Sequence, residues 1–210
     1  MDKRLLANNL TLPKFFPIFA SVNISLKHHI NMEQQVKQVP YGVADFATVM
    51  TQNLYYVDKT MFLPELEKQP RNLFFIRPRR FGKSIFLSML YSYYDCSQKD
   101  RFQELFGNLW IGHHPTDLQG RYQVLFLDFS QITGKIDVLE ERFNAYMSIN
   151  LDAFVRQYAQ YYQAEKDEIL SRTEYADKIE LLFKAAKAHG YALYLIIDEY
   201  DNFTNVVLNE

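Results

Sequence analysis

Three short apolar runs limit what this chain can fold into. They are Asn72–Ile76 (NLFFI), Val124–Asp128 (VLFLD) and Tyr191–Asp198 (YALYLIID). Apolar runs of this length are typical of strands that are buried on both faces of a sheet. Between them, apolar residues recur at helical spacing, which predicts one helix over 83–95 and two or three helices over 135–189. Strands that alternate with helices predict an α/β fold with a parallel sheet and flanking helices.

The composition excludes several classes of protein. Of the 210 residues, 48% are apolar, so the chain can bury a core and is not expected to be disordered. The formal charge of −2 favours neither a nucleic acid nor a membrane surface as partner. The lone cysteine, Cys96, cannot form an internal disulfide, and no apolar run reaches the roughly 18 residues of a membrane span. These features predict a cytoplasmic protein.

The first residues of the chain differ from the rest. The apolar stretch Phe15–Leu26 is interrupted by a proline and an asparagine, and no small-residue cleavage site follows it, so it makes a poor signal peptide. We expect residues 1–37 to be an extension that is disordered or not native, and translation from Met32 is the alternative. The domain is then expected to span residues 38–210.

A basic loop that contains a glycine follows the first apolar run and opens the next predicted helix. Its sequence is RPRRFGKS, at 77–84. Backbone N–H groups at the start of a helix are unpaired and point outward, so a phosphate group binds there readily. A glycine lets the backbone approach phosphate oxygens, a lysine binds the β- and γ-phosphates, and a serine hydroxyl ligates Mg²⁺. The segment therefore predicts a P-loop, which binds nucleotide phosphates.

This interpretation gives the loop residues specific roles. We expect nucleotide contacts from Arg77, Arg79, Arg80, Phe81, Gly82, Lys83 and Ser84, and Ser84 is also expected to ligate Mg²⁺. Arg79 and Arg80 are candidates to bind phosphate or to stabilise charge during transfer, with solvent exposure or pairing with acids as the alternative. Arginine stands at the first position, where the usual motif has glycine. The alternative for the whole loop is a basic surface turn.

Two carboxylates end the third apolar run. Asp198 and Glu199 follow LYLII, and charged side chains at the end of a buried strand need a reason because their unpaired burial is costly. Ligands bind at the carboxyl ends of parallel strands, so we expect Asp198 to hold Mg²⁺ and Glu199 to act as the general base. Glu199 is expected to point the other way along the pleat. A strand that simply runs out into solvent is the alternative.

Several words of the sequence resemble the AAA-ATPase-like family of prokaryotic P-loop proteins. They are PYGVADF at 40–46, YVDKT at 56–60, FIRPRRFGKSIFLSML at 75–90, VLFLDFS at 124–130 and LIIDEYDN at 195–202. The resemblance covers about residues 38–205, and arginine at the first loop position is the family's own pattern. It implies that Lys83 and Ser84 bind nucleotide and Mg²⁺ and that Asp198 and Glu199 form the Walker-B pair. Asp58 and Lys59 lie in a family word whose role cannot be derived, and Asp128 ends a strand near the same sheet edge, from which it could reach the site. For all three, a structural or capping role is the equal alternative.

The resemblance also implies a longer sheet. Many relatives carry further ATPase elements and a nuclease-like domain, and in this class a later strand lies between the Walker-B strand and the P-loop strand. We therefore expect a P-loop NTPase-type sheet that is truncated after the Walker-B strand. Such a chain would self-associate or need a completing protein partner, because its sheet edges are unpaired. Direct pairing of 72–76 with 191–198 is the rival expectation.

The favoured function is that of an ATP-binding protein of an ATPase lineage, which uses ATP and Mg²⁺ and is not necessarily able to hydrolyse ATP as this fragment. One alternative is a nucleic-acid-associated module that binds backbone phosphates through the RPRR segment, although the net charge disfavours direct binding. A second is a P-loop kinase. A third is an interaction protein that docks a partner on the tyrosine-rich helical region 135–189.

Overall fold

The structure is a computed structural model, and it describes residues 37–76 and 81–202. The predicted extension therefore lies outside the described residues, apart from Lys37. In the described part of the chain, the helices are α1 (Phe46–Thr51), α2 (Leu63–Glu67), α3 (Lys83–Tyr94), α4 (Phe102–Phe106), α5 (Trp110–His113), α6 (Ile136–Gln157), α7 (Lys166–Ser171) and α8 (Tyr175–His189). The strands are β1 (Gln123–Asp128) and β2 (Leu193–Asp198). Short 3₁₀ turns cover Thr60–Phe62, Cys96–Arg101 and Phe129–Gln131.

The two strands form a parallel pair. Gln123 is opposite Leu193, and the register continues to Asp128 opposite Asp198. The prediction of an α/β fold with a parallel sheet is confirmed in this form, as a small sheet among many helices. The helix predicted at 83–95 is present as α3, and the helical region 135–189 is α6, α7 and α8.

Helices cover both faces of this sheet. On one face, Val124 and Ile196 pack in a core with α3 and with aromatic residues such as Tyr93 and Phe106. On the other face, Leu125 and Leu193 contact the core formed by α6, α7 and α8. Because successive strand residues point to opposite faces, β1 and β2 need apolar residues at almost every position, and this explains their continuous apolar runs.

The first apolar run does not form a strand. Asn72–Ile76 has no ladder partner, so the expectation of a buried strand there is wrong, and so is the rival expectation that it pairs with 191–198. Phe75 stacks on Phe86 of α3 with 4.9 Å between the ring centroids, whereas Phe74 and Ile76 are each 81% exposed. Phe74 also meets the ring of Tyr200 edge-on at 6.1 Å, but among the described residues the run pairs with no strand.

The two outer edges of the sheet differ in what lies beside them. At the β1 edge, tyrosine hydroxyls of the α6 segment accept from backbone N–H groups: Tyr158 from Val124 at 3.1 Å and Tyr146 from Asp128 at 2.7 Å. On the β2 side lies an apolar groove of about 660 Å³ between β2 and residues 71–75. The groove is lined by α3 residues as well, among them Lys83, Phe86, Leu87 and Leu90. The sheet is therefore covered along β1 and open along β2.

Within residues 37–76 and 81–202, the helices are too short or too polar to cross a bilayer.

Candidate nucleotide-binding site

The glycine of the predicted P-loop sits directly before α3. Gly82 has φ +76° and ψ +30°, a left-handed conformation that side chains other than glycine rarely adopt. Its carbonyl accepts from the N–H of Phe86 at 3.2 Å, which closes the first turn of the helix. Gly82 therefore makes the sharp turn into α3, which another residue would adopt only with strain.

Lys83, the first residue of α3, joins the loop to the acidic end of β2. Its Nζ lies 3.1 Å from Asp198 Oδ1 and 3.2 Å from Glu199 Oε1. The side chains of Lys83 and Asp198 are 19% and 6% exposed, whereas that of Glu199 is 42% exposed. The structure thus brings Lys83 to an acidic pair that lies more than a hundred positions further along the sequence. This supports the prediction that the loop and the acidic pair belong to one site.

The charges in this cluster reinforce one another. Burial alone would lower the pKa of Lys83, but hydrogen bonds and charges from Asp198 and then Glu199 outweigh it and raise the pKa above the usual lysine value. Lys83 therefore carries a full positive charge at neutral pH. The ring of Tyr200 lies 5.7 Å from the same Nζ and adds a cation–π contact that the sequence did not reveal.

The strand pleat predicts that Glu199 points away from Asp198, and this prediction is wrong. Glu199 has φ +51°, so the chain leaves the extended conformation as soon as β2 ends at Asp198. Asp198 supports the turn, because its Oδ1 accepts from the N–H of Glu199 at 2.9 Å. This turn brings both carboxylates to Lys83. A left-handed non-glycine residue costs on the order of 1 kcal/mol and is found most often at functional sites.

Asp128 lies at the carboxyl end of β1, opposite Asp198 in the sheet register. Its side chain caps the 3₁₀ turn that follows, since Oδ1 accepts from the N–H of Ser130 at 2.9 Å. The amide of Asn202 donates to the carbonyls of Phe129 and Ile132 at 2.9 and 2.8 Å, so it ties the loop after β2 to the loop after β1. Asp128 and Asn202 thus fix the loops that follow the two strands at this edge of the sheet.

Asp58 also has a structural role. Its Oδ1 accepts from the N–H and the hydroxyl of Thr60 at 2.8 and 2.7 Å, and its Oδ2 accepts from the N–H of Trp110 at 2.7 Å. The hydroxyl of Thr60 accepts in turn from the N–H of Ile111 at 3.1 Å. The YVDKT word therefore holds the start of α5. Sequence reasoning could not find this contact, because its partners lie about fifty residues away along the chain.

The structure describes only some of the other loop residues that were predicted to bind nucleotide. Arg77, Arg79 and Arg80 lie outside the described residues, so their predicted phosphate contacts stay predictions. Phe81 is 63% exposed beside the glycine, and Ser84 is partly exposed in the first turn of α3. A hydroxyl and a carboxylate are the hard oxygen ligands that Mg²⁺ prefers, so Ser84 and Asp198 suit that ion chemically.

A family comparison decides what kind of protein this is. The family model described as Predicted AAA-ATPase matches residues 40–210. The chain belongs to this AAA-ATPase-like family. The match includes the loop, the YVDKT word and the acidic end of β2, so the family resemblance carried by those words is confirmed.

The chain is also similar to a curated protein whose name gives no function. The chain is 31% identical over 167 residues to an uncharacterized protein from the vnfD 5' region of Azotobacter chroococcum mcd 1. The match covers 79% of this chain and 29% of the relative, so the chain spans less than a third of that protein's length. No solved structure matches the chain significantly.

Proposed function

We propose that this AAA-ATPase-like chain binds Mg²⁺ and ATP at the start of α3 and that the site belongs to a nucleoside triphosphatase. The observation that carries the proposal is the contact of Lys83 with both Asp198 and Glu199. This contact places a helix N-terminus, a lysine and two carboxylates within a few ångströms of one another. Such a combination suits a triphosphate with its metal ion better than it suits nucleic acid, whose backbone the two carboxylates would repel.

Each residue is proposed to contribute a different function. The N–H groups at the start of α3 and the ammonium of Lys83 bind phosphate oxygens, for which Lys83 turns away from the two carboxylates. Ser84 and Asp198 hold the magnesium ion, which when bound neutralises charge on the phosphates. Gly82 itself carries no side chain, so its backbone can come close to the phosphates.

Glu199 is proposed as the general base. It is more exposed than Asp198, so water reaches its carboxylate, and its turn at φ +51° aims it at the cluster. It would take a proton from a water molecule while the water oxygen bonds to the γ-phosphorus and the bond from that phosphorus to the bridging oxygen breaks. ADP and inorganic phosphate leave, and the proton on Glu199 then passes to solvent.

Isothermal titration calorimetry with ATP, with and without Mg²⁺, tests this function. Wild type is compared with Lys83→Ala and with Lys187→Ala, which removes an exposed lysine in the last turn of α8. We expect wild type and Lys187→Ala to bind with the same affinity and Lys83→Ala to lose about a hundred-fold or more. Circular dichroism of each variant establishes that it is folded.

The hydrolysis step is tested separately from binding. Glu199→Gln keeps the shape of the side chain but cannot accept the proton, so we expect unchanged ATP affinity and a rate of phosphate release at the background level. A folded wild type that does not bind ATP would reject the nucleotide site. Binding without phosphate release by wild type would leave an ATP-binding protein and would remove the role of general base.

A further inference from the structure

The YVDKT word places a second lysine at the P-loop glycine. Lys59 lies between Asp58 and Thr60, and both neighbours are fixed to the start of α5 by the hydrogen bonds described above. Thr60 is fully buried, and the carbonyl of Lys59 accepts from the N–H of Phe62 at 3.2 Å. The backbone on both sides of Lys59 is therefore fixed, so the point from which its side chain extends is set by the fold.

That side chain reaches Gly82. A Cβ atom built on Gly82 would lie 4.0 Å from Lys59 Nζ, and the nearest other side-chain atom there is Ile85 Cγ2 at 3.4 Å. The ammonium group thus lies on the side of Gly82 from which a side chain would project. Lys59 itself is partly buried.

Lys59 has no acidic partner within ion-pair distance in the part of the chain that the structure describes. Within the described ranges 37–76 and 81–202, no carboxylate lies within 4.0 Å of its amine, whereas Lys83 is shared between Asp198 and Glu199. A bound anion would supply the charge partner that this ammonium lacks among the described residues. The two lysines at the loop therefore differ, because one is neutralised by the protein and the other is left for a ligand.

We propose that Lys59 is a second phosphate-binding cation of this site, which contacts an oxygen of the polyphosphate at Gly82. The proposal rests on the proposed nucleotide site and adds to it a residue outside the P-loop itself. It also explains the order of residues in YVDKT, because Asp58 and Thr60 fix the turn and Lys59 projects from it to the phosphates. The expected ligand class is a di- or triphosphate.

Phosphate binding by Lys59→Met tests the proposal. Methionine keeps the apolar stem and removes the charge, and Lys187→Met is the matched control. Calorimetry with Mg²⁺ and either ATP or inorganic triphosphate should show an affinity about ten- to a hundred-fold weaker for Lys59→Met than for the control. Lys59→Arg should recover part of the loss, because it restores the charge.

Two further readouts separate ligand binding from a structural role. The urea midpoint of Lys59→Met should equal that of wild type, since the amine has no ion-pair partner in the described part of the chain. In wild type, ATP should protect Lys59 from acetylation, as read by mass spectrometry of the peptide, while Lys187 stays equally reactive. A lowered midpoint together with unchanged affinity would mean that Lys59 is structural.

The outcomes distinguish this proposal from the one on which it rests. If wild type binds ATP, Lys83→Ala does not, and Lys59→Met matches its control, the nucleotide site stands and the role of Lys59 is refuted. If folded wild type binds neither ATP nor triphosphate, both proposals fall. Weaker binding of ATP and triphosphate by Lys59→Met at an unchanged urea midpoint supports the proposal.

Discussion

Lys83 and Asp198 should form the strongest pairwise interaction of the site, and burial should be the reason. Two unit charges about 3 Å apart attract by about 5 kcal/mol at an effective dielectric constant of about 20. Removal of both groups from water offsets much of that attraction, so we expect a coupling free energy of about 1–3 kcal/mol to remain for Lys83 with Asp198. Glu199 is almost as close, at 3.2 Å against 3.1 Å, but it is 42% exposed against 6%. Solvent screens it, so its coupling to Lys83 should be about 0–1 kcal/mol.

Two double-mutant cycles measure these couplings. One combines Lys83→Met with Asp198→Asn and the other combines it with Glu199→Gln, and urea unfolding gives the free energy of each variant. Nucleotide is left out, so the cycles report only the resting ion pairs. Since the two distances are nearly equal, a coupling to Glu199 as large as that to Asp198 would refute the reasoning that burial sets the strength. A coupling near zero for both would mean that the contact is not maintained in solution.

Three further predictions concern the fold around the site. Asp58→Ala removes the acceptor for the N–H of Trp110 and for Thr60, so the free energy of unfolding should fall by about 1–3 kcal/mol in urea titrations, and an unchanged value would remove its structural role. Burial raises the pKa of Asp45, but hydrogen bonds from Thr48 and Ser88 outweigh it, so the pKa is lowered from 3.8. Its contribution to stability is therefore present above pH 3.8 and is lost as the pH falls through the lowered pKa. Wild type should exceed Asp45→Ala by about 1 kcal/mol at pH 7 and lose that advantage in acid, and a pH-independent difference in unfolding free energy would contradict the linkage. We expect a second copy of the chain to bind the β2 edge and the apolar groove beside it. Sedimentation should show self-association that Phe74→Asp weakens. A wild type that stays monomeric at high concentration would contradict this.

Local sequence rules predicted the two strands and helix α3, because the pattern of each depends on its own residues. β1 and β2 were predictable because each is buried on both faces and therefore apolar at almost every position. Helix α3 was predictable because the glycine and the apolar spacing mark both its start and its buried side. The rule that functional groups gather at the carboxyl ends of parallel strands predicted the place of Asp198, and Lys83 meets it there from the start of α3 although the run before its loop forms no strand.

What the sequence did not reveal depends on which segments meet. The run Asn72–Ile76 is as apolar as β1, but apolar residues express only a tendency to be buried, and a strand also needs a neighbour for its N–H and carbonyl groups. Here a groove separates the run from β2, so one phenylalanine packs and the others stay exposed. The prediction for the direction of the Glu199 side chain was wrong for a different reason. Alternation between the two faces holds only while the backbone is extended, and φ becomes positive at Glu199. The local sequence could not show that Lys59 lies at the P-loop either. Its place there depends on the hydrogen bond from the N–H of Trp110 to Asp58, and these two residues are fifty-two positions apart.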